Sequence, residues 1–178
     1  MLRWTLFVFL PFLAYAHHNH DPESGSLPQD GPCSNPPAAQ EKFQINELTG
    51  RWYAARSNYD SDKDRQCVEI KIEQDGNDIL GTCYFKTETS NNTKVEEKYS
   101  PIADQPGRYN SYLRATPGGD YVPCNLTFTI VKVEGDNALE YACKEEGNQH
   151  IDFYRSYSRK LPVSEDADNQ FIQIVKDN

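Results

Sequence analysis

The chain has 178 residues, with 27 acidic against 18 basic side chains and a formal net charge of −9. That balance argues against nucleic acid or an anionic membrane surface as a partner and otherwise serves solubility. With an export segment set aside, the length fits one domain of roughly 160 residues.

Residues 1–16 read as a signal peptide. Arg3 supplies a short basic start, residues 4–13 are almost wholly apolar, and Ala14 and Ala16 place small side chains where a signal peptidase reads. An apolar run of about ten residues is too short to cross a bilayer. No later segment comes close, so the expectation is a secreted, extracellular protein with no integral membrane segment. Residues 17–40 are the expected leader; 17–37 is rich in Pro, Ser, Asp and Gly, lacks periodicity, and reads as extended or disordered chain. His17, His18 and His20 are metal-ligating residue types, but a loose end offers nothing to hold their rings in place. Neither a metal nor another cofactor is expected.

The remaining domain, 41–178, reads from Gly50 as short strands punctuated by turns. The first strand is 51–58. Val68, Ile70 and Ile72 alternate with Glu69, Lys71 and Glu73, the pattern of a half-buried strand. Asp75-Gly76-Asn77-Asp78 is a tight turn leading into a strand over 79–87. Two less regular strands follow at 95–101 and 108–115. Pro117-Gly118-Gly119 breaks the chain before 125–133, where Leu126, Phe128 and Ile130 alternate with polar residues. Gly135-Asp136-Asn137 turns into 138–144, and Gly147-Asn148 turns into 150–159. Eight strands at near-regular spacing suggest a closed antiparallel barrel or a sandwich. Only the end reads as helix: Ser164 can cap a segment over 165–176, with Phe171, Ile174 and Val175 able to face the barrel.

Five cysteines in an exported chain of this size suggest disulfides, and the odd number leaves at least one free thiol or one intermolecular bond. Asn91-Asn92-Thr93 and Asn125-Leu126-Thr127 make Asn91 and Asn125 acceptors for N-glycosylation, which has meaning only in an exported chain.

Three motifs carry a family resemblance. Cys33-Ser34-Asn35-Pro36-Pro37, then Phe43, then Leu48-Thr49-Gly50-Arg51-Trp52-Tyr53 resembles the opening of apolipoprotein D and the invertebrate (insect- and arthropod-type) lipocalins. Ala138-Leu139-Glu140-Tyr141-Ala142-Cys143 resembles that family's seventh strand, and Ser158-Arg159-Lys160-Leu161-Pro162 before a helix resembles its closing arginine motif. They stand in the family's order and separations over nearly the whole mature chain. The resemblance implies an all-β, eight-stranded, up-and-down antiparallel barrel with one C-terminal α-helix. It implies that Gly50, Trp52 and Arg159 close one end, with Trp52 as plug and Arg159 across its ring as a cation–π cap. It also implies a Cys33–Cys143 disulfide. Two features depart from the family. A Thr-Asp-Tyr-like motif is not evident around 133–137, and relatives pair the cysteine matching Cys67 with one near the C-terminus that is missing here. Cys67, Cys83 and Cys124 are left without an assigned pairing.

Within a barrel, the side-chain period of two sorts each strand into inward and outward sets. An inward Trp52 makes Ala54 and Arg56 inward. Arg159 at the same end makes Tyr157, Arg155, Phe153 and Ile151 inward. Cys143 has to point outward to reach the leader, so Ala142, Glu140 and Ala138 point in. A two-residue turn at Gly147-Asn148 sets Glu140 opposite Arg155, and Trp52 paired with Arg159 sets Arg56 beside Arg155. The two anchors agree on an inward row of Glu140, Arg155 and Arg56. Two cations and one carboxylate leave a surplus positive charge, which the acidic group of a fatty acid, retinoid acid or bilin would neutralise. The row can instead be a structural network completed by water or another acidic side chain, or a β-bulge can turn one member out. Ile70, Leu126, Phe128, Phe153 and Tyr157, with Val68 and Ile72 behind, supply apolar wall and barrel core. Cys83 pairs with Ile70 across the Gly76-Asn77 turn and so points inward. Some lipocalin-type synthases use such a thiol, but no activating base is evident beside this one, and no enzyme activity is expected.

The expected function is therefore carriage or sequestration of a small hydrophobic ligand inside the barrel. The alternative is a secreted effector or inhibitor acting on a protein partner through its loops; a pigment protein is a third reading. An oligomer remains open.

Overall fold

The computed structural model of the protein describes residues 26–114 and 116–177, with the side chains of Ser61, Cys67 and 175–177 outside the description. The signal peptide, His17, His18, His20 and the far end of the strand expected at 108–115 lie outside the described residues, as do the pairing of Cys67 and the orientation of Val175.

Eight antiparallel strands form a closed up-and-down barrel: β2 (Gly50–Ser57), β3 (Gln66–Asp75), β4 (Asp78–Thr87), β5 (Ser90–Pro101), β6 (Arg108–Arg114), β7 (Val122–Glu134), β8 (Asn137–Glu146) and β9 (Gln149–Ser158). Each pairs with the next, and β9 closes the ring by pairing with both β8 and β2. A two-residue β1 (Gln29–Asp30) adds to the upper part of β9 at Gln149 and His150, where β2 does not reach. The described helix, α1 (Glu165–Asp177), starts where Ser164 Oγ accepts a hydrogen bond from Ala167 N at 3.3 Å. The fold class is the one expected, and each expected strand lies within or against an observed one.

Register follows from turn chemistry. Gly147 sits at φ +64°, which a two-residue hairpin loop requires at its first position. Glu146 thus pairs with Gln149, and the unbroken ladder carries Glu140 to Arg155 and Ala138 to Tyr157. The β2–β9 ladder is different. It begins as expected, with Ala54 opposite Tyr157, but a β-bulge between Ala54 and Arg56 shifts the pairing so that Arg56 faces Ser156 and Ser57 faces Arg155. One extra residue reverses the inward and outward sense of everything beyond it.

Inside the barrel, the floor is a cluster of Leu48, Trp52, Ile79, Tyr109, Ile130 and Ala138. Above it, Phe128, Ala142 and Phe153 pack with Tyr59, Tyr99, Leu126 and Ile151. A third cluster lies on the outer face of β8 and β9, where Leu139, Tyr141, Cys143 and Tyr154 are covered by Phe171, Ile172 and Ile174 of the helix and by Cys33. Cys33 and Cys143 are joined in a disulfide. The leader from residue 26 runs along the wall, tied by Gly31 N to Asn148 O at 2.8 Å, Gln40 N to Ile130 O at 2.8 Å and Cys33 N to Glu145 Oε1 at 3.0 Å.

Candidate functional site: a cavity above a sealed floor

The lower end of the barrel is shut. The Arg159 guanidinium carbon lies 4.0 Å from the Trp52 ring centroid, and its Nη2 donates to Glu47 O at 2.9 Å. Trp52 is 1% exposed, and its Nε1 donates to Leu48 O at 2.7 Å. Gly50 is bound to this arrangement twice over. Its φ is +110°, and a Cβ there would lie 2.8 Å from Arg159 Nη1.

Above the floor lies a cavity of about 560 Å³, counting its opening to solvent. Ala54, Val68, Ile70 and Cys83 give it an apolar wall, while Asp62, Arg65, Glu97, Arg155 and Tyr157 give it a polar one. Of the residues expected at a ligand site, Ala54, Arg56, Ile70, Cys83, Arg155 and Tyr157 border this space. Leu126, Phe128, Ala142 and Phe153 pack together as interior filling instead. Glu140 stands behind the lining, where Tyr157 Oη donates to its Oε1 at 2.6 Å and Arg155 Nη1 lies at 3.6 Å.

The expected row of Glu140, Arg155 and Arg56 is only two-thirds present. Glu140 and Arg155 are cross-strand partners. Arg56 is shifted out of register with Arg155 by the bulge; it still borders the cavity, but its Nε and Nη2 donate to Asp168 of α1. In its place comes Asp62, from the single 3₁₀ turn Asp60–Asp62 in the loop after β2. Arg155 donates to Asp62 from Nε at 2.7 Å and from Nη2 at 3.0 Å, and Ser57 Oγ donates to the same carboxylate at 2.7 Å. Arg65 Nη1 adds a third cation contact at 3.4 Å. The surplus positive charge that would call for an acidic ligand is therefore absent from this row: the protein's own carboxylates fill it.

The loop also brings Tyr59, whose ring stacks on Phe153 at 4.1 Å with planes 8° apart. The Arg155 guanidinium carbon lies 4.8 Å from the Phe153 centroid. Burial alone would raise the Asp62 carboxyl, but the Arg155 charge and hydrogen bonds outweigh it, leaving Asp62 below its ordinary range. For Glu140 the balance goes the other way. Burial pushes it up to about 7 despite Arg155 and the Tyr157 hydroxyl. Cys83 is buried and, through that burial and the nearby Glu97 charge, pushed up to about 12, so its thiol stays protonated and is a poor nucleophile.

Asp62, Arg65, Ser57 and Glu97 were not expected at the site. Glu97 had a readable signal, since Val95, Glu97 and Tyr99 alternate with Glu96 and Lys98 and pair with the inward Cys83, Gly81 and Ile79. Asp62 had none, because its approach to Arg155 joins positions 93 residues apart.

No family model matches the sequence, and no curated protein matches it. Solved structures do. Insecticyanin from the tobacco hornworm Manduca sexta is 15% identical with a TM-score of 0.66, covering 86% of this chain and 82% of that one. Lobster apocrustacyanin A1 is 16% identical with a TM-score of 0.63, covering 89% and 86%. The siderocalin Ex-FABP, which functions through dual ligand specificities, is 18% identical with a TM-score of 0.57, covering 74% and 82%. These are lipocalins, and at such identities the likeness speaks for architecture. Together with the closed eight-stranded barrel, the sealed floor and the C-terminal helix, it gives this chain the lipocalin fold.

Proposed function

We propose that the protein is a secreted binder of a small, largely apolar molecule, held in the barrel without chemical change. The observation that carries this reading is the open cavity between the Trp52 floor and the loop over 58–65, lined by Ala54, Val68, Ile70 and Cys83 on one part and by charged side chains on the other. Burial of ligand surface against Ala54, Val68, Ile70 and Cys83 supplies the affinity, at roughly 25 cal/mol per Å² of apolar area. The polar wall orients the guest. Secretion is supported by the signal-like N-terminus, by the Cys33–Cys143 disulfide and by the exposure of Asn91 and Asn125, both acceptors for glycosylation. No helix among the described residues is long and apolar enough to cross a membrane.

The test is purification from the native source, followed by an absorbance spectrum and solvent extraction, with uptake of a lipophilic fluorescent probe by the stripped protein. A bound organic molecule, and probe uptake that Ile70→Trp suppresses by filling the cavity, are the expected results. An empty native protein that takes up no probe would overturn the proposal.

A further inference from the structure

Six charged side chains belong to the cavity and its immediate backing, and their partners are unequal. Arg155 is bracketed by Asp62 at 2.7 Å and Glu140 at 3.6 Å. Arg65 shares Asp62 at 3.4 Å and lies 4.8 Å from the Phe85 ring. Glu97, on the opposite wall, accepts a hydrogen bond from Tyr99 Oη and has no cation within salt-bridge distance among the described residues. The lining thus sets Asp62 and Glu97 against Arg65 and Arg155, with Glu140, raised by burial to about 7, behind it. Arg56 also borders the cavity, and its charge is offset by its partner Asp168.

The surroundings of Glu97 leave it open to a guest. Its cross-strand neighbour is Gly81, so no side chain flanks it on β4, and a Cβ there would stand 3.7 Å from Glu97 Oε2. Next along that wall come Cys83 and, across from it, Ile70, both apolar and both on the cavity. Glu97 thus adjoins the apolar part of the lining, Ile70 and Cys83, while Asp62 serves both Arg155 and Arg65. A carboxylate in a confined, partly dry space attracts a cation more strongly than it would in water, and it repels an acid for the same reason.

We infer that the guest is an apolar molecule bearing one positive charge, a protonated amine with its ammonium group on Glu97 and its hydrocarbon body along Ile70, Val68 and Cys83. The inference rests on the binding function proposed above and names the ligand class for that same cavity. It replaces the acidic guest that was one reading of the expected Glu140, Arg155 and Arg56 row.

The test compares three probes of equal chain length, decylamine, decanol and decanoic acid, by calorimetry at neutral pH on the wild type and on Glu97→Gln. A charge-assisted hydrogen bond is expected to give the amine about a tenfold advantage over the alcohol, with the acid weakest. In Glu97→Gln the amine-to-alcohol ratio is expected to fall to about one. The wild-type series stands by itself if the variant does not fold. Decanoic acid binding as well as decylamine, or an amine advantage that survives Glu97→Gln, would overturn the inference and leave the binding function intact. No binding by any of the three would remove the binding function, and this inference with it.

Discussion

Glu140→Gln makes a demanding test of the interior electrostatics, because its effect on stability has a sign that depends on pH. The Glu140 side chain is 15% exposed, accepts a hydrogen bond from Tyr157 and sits 3.6 Å from Arg155, and burial still raises it from an ordinary value of 4.5 to about 7. Between those two values the folded chain keeps a proton that the unfolded chain has released. Stability therefore falls as pH rises through this window, and the loss is complete above the folded-state value. The gap corresponds to about 3 kcal/mol. Glutamine keeps an oxygen for the Tyr157 hydroxyl and never ionises, so it mimics the protonated side chain. Urea denaturation of the two proteins side by side is the assay, since titrations elsewhere, Asp62 included, cancel in the difference. The variant is expected to match the wild type near pH 4 and to exceed it near pH 8 by up to about 3 kcal/mol. A variant less stable than the wild type at the higher pH would refute this reasoning, because it would mean that the Arg155–Glu140 attraction outweighs the burial of the charge.

Two further predictions concern the frame. Gly50→Ala forces an alanine to φ +110° and brings its Cβ to 2.8 Å from Arg159 Nη1. A loss of about 1–3 kcal/mol in chemical denaturation is expected, with a shift in Trp52 fluorescence as the guanidinium leaves the ring; an unchanged emission spectrum would count against it. Replacing both Cys33 and Cys143 by serine opens a link spanning 110 positions. About 2–4 kcal/mol should be lost, and the wild type in reducing agent should show the same drop in its urea midpoint.

How far the sequence could be read depended on which interactions were local. The strand pattern was legible because half-buried strands alternate, as in Val68, Ile70 and Ile72, and because Gly147-Asn148 specifies a hairpin whose register runs unbroken to Glu140 and Arg155. Trp52 and Arg159 were legible through their motifs. The bulge after Ala54 was not, since Ala54-Ala55-Arg56 contains no glycine or proline to mark it, and extrapolating the period of two put Arg56 opposite Arg155, where Ser57 stands instead. Asp62 was equally hidden. A loop aspartate gives no sign, along the chain, of the distant arginine it will meet, and that meeting offsets the positive charge expected there.

The short strand at Gln29 and Asp30 has a consequence for solubility. β2 ends before it reaches the upper half of β9, which would leave that stretch of backbone amides and carbonyls without neighbours. Asn58 occupies part of the gap, accepting a hydrogen bond from Tyr154 N at 2.7 Å, and the leader pairs with Gln149 and His150. A barrel is commonly credited with having no free margin onto which a second molecule could zip. In this one, the ring of eight strands leaves such a margin at its rim, and a segment outside the ring hems it.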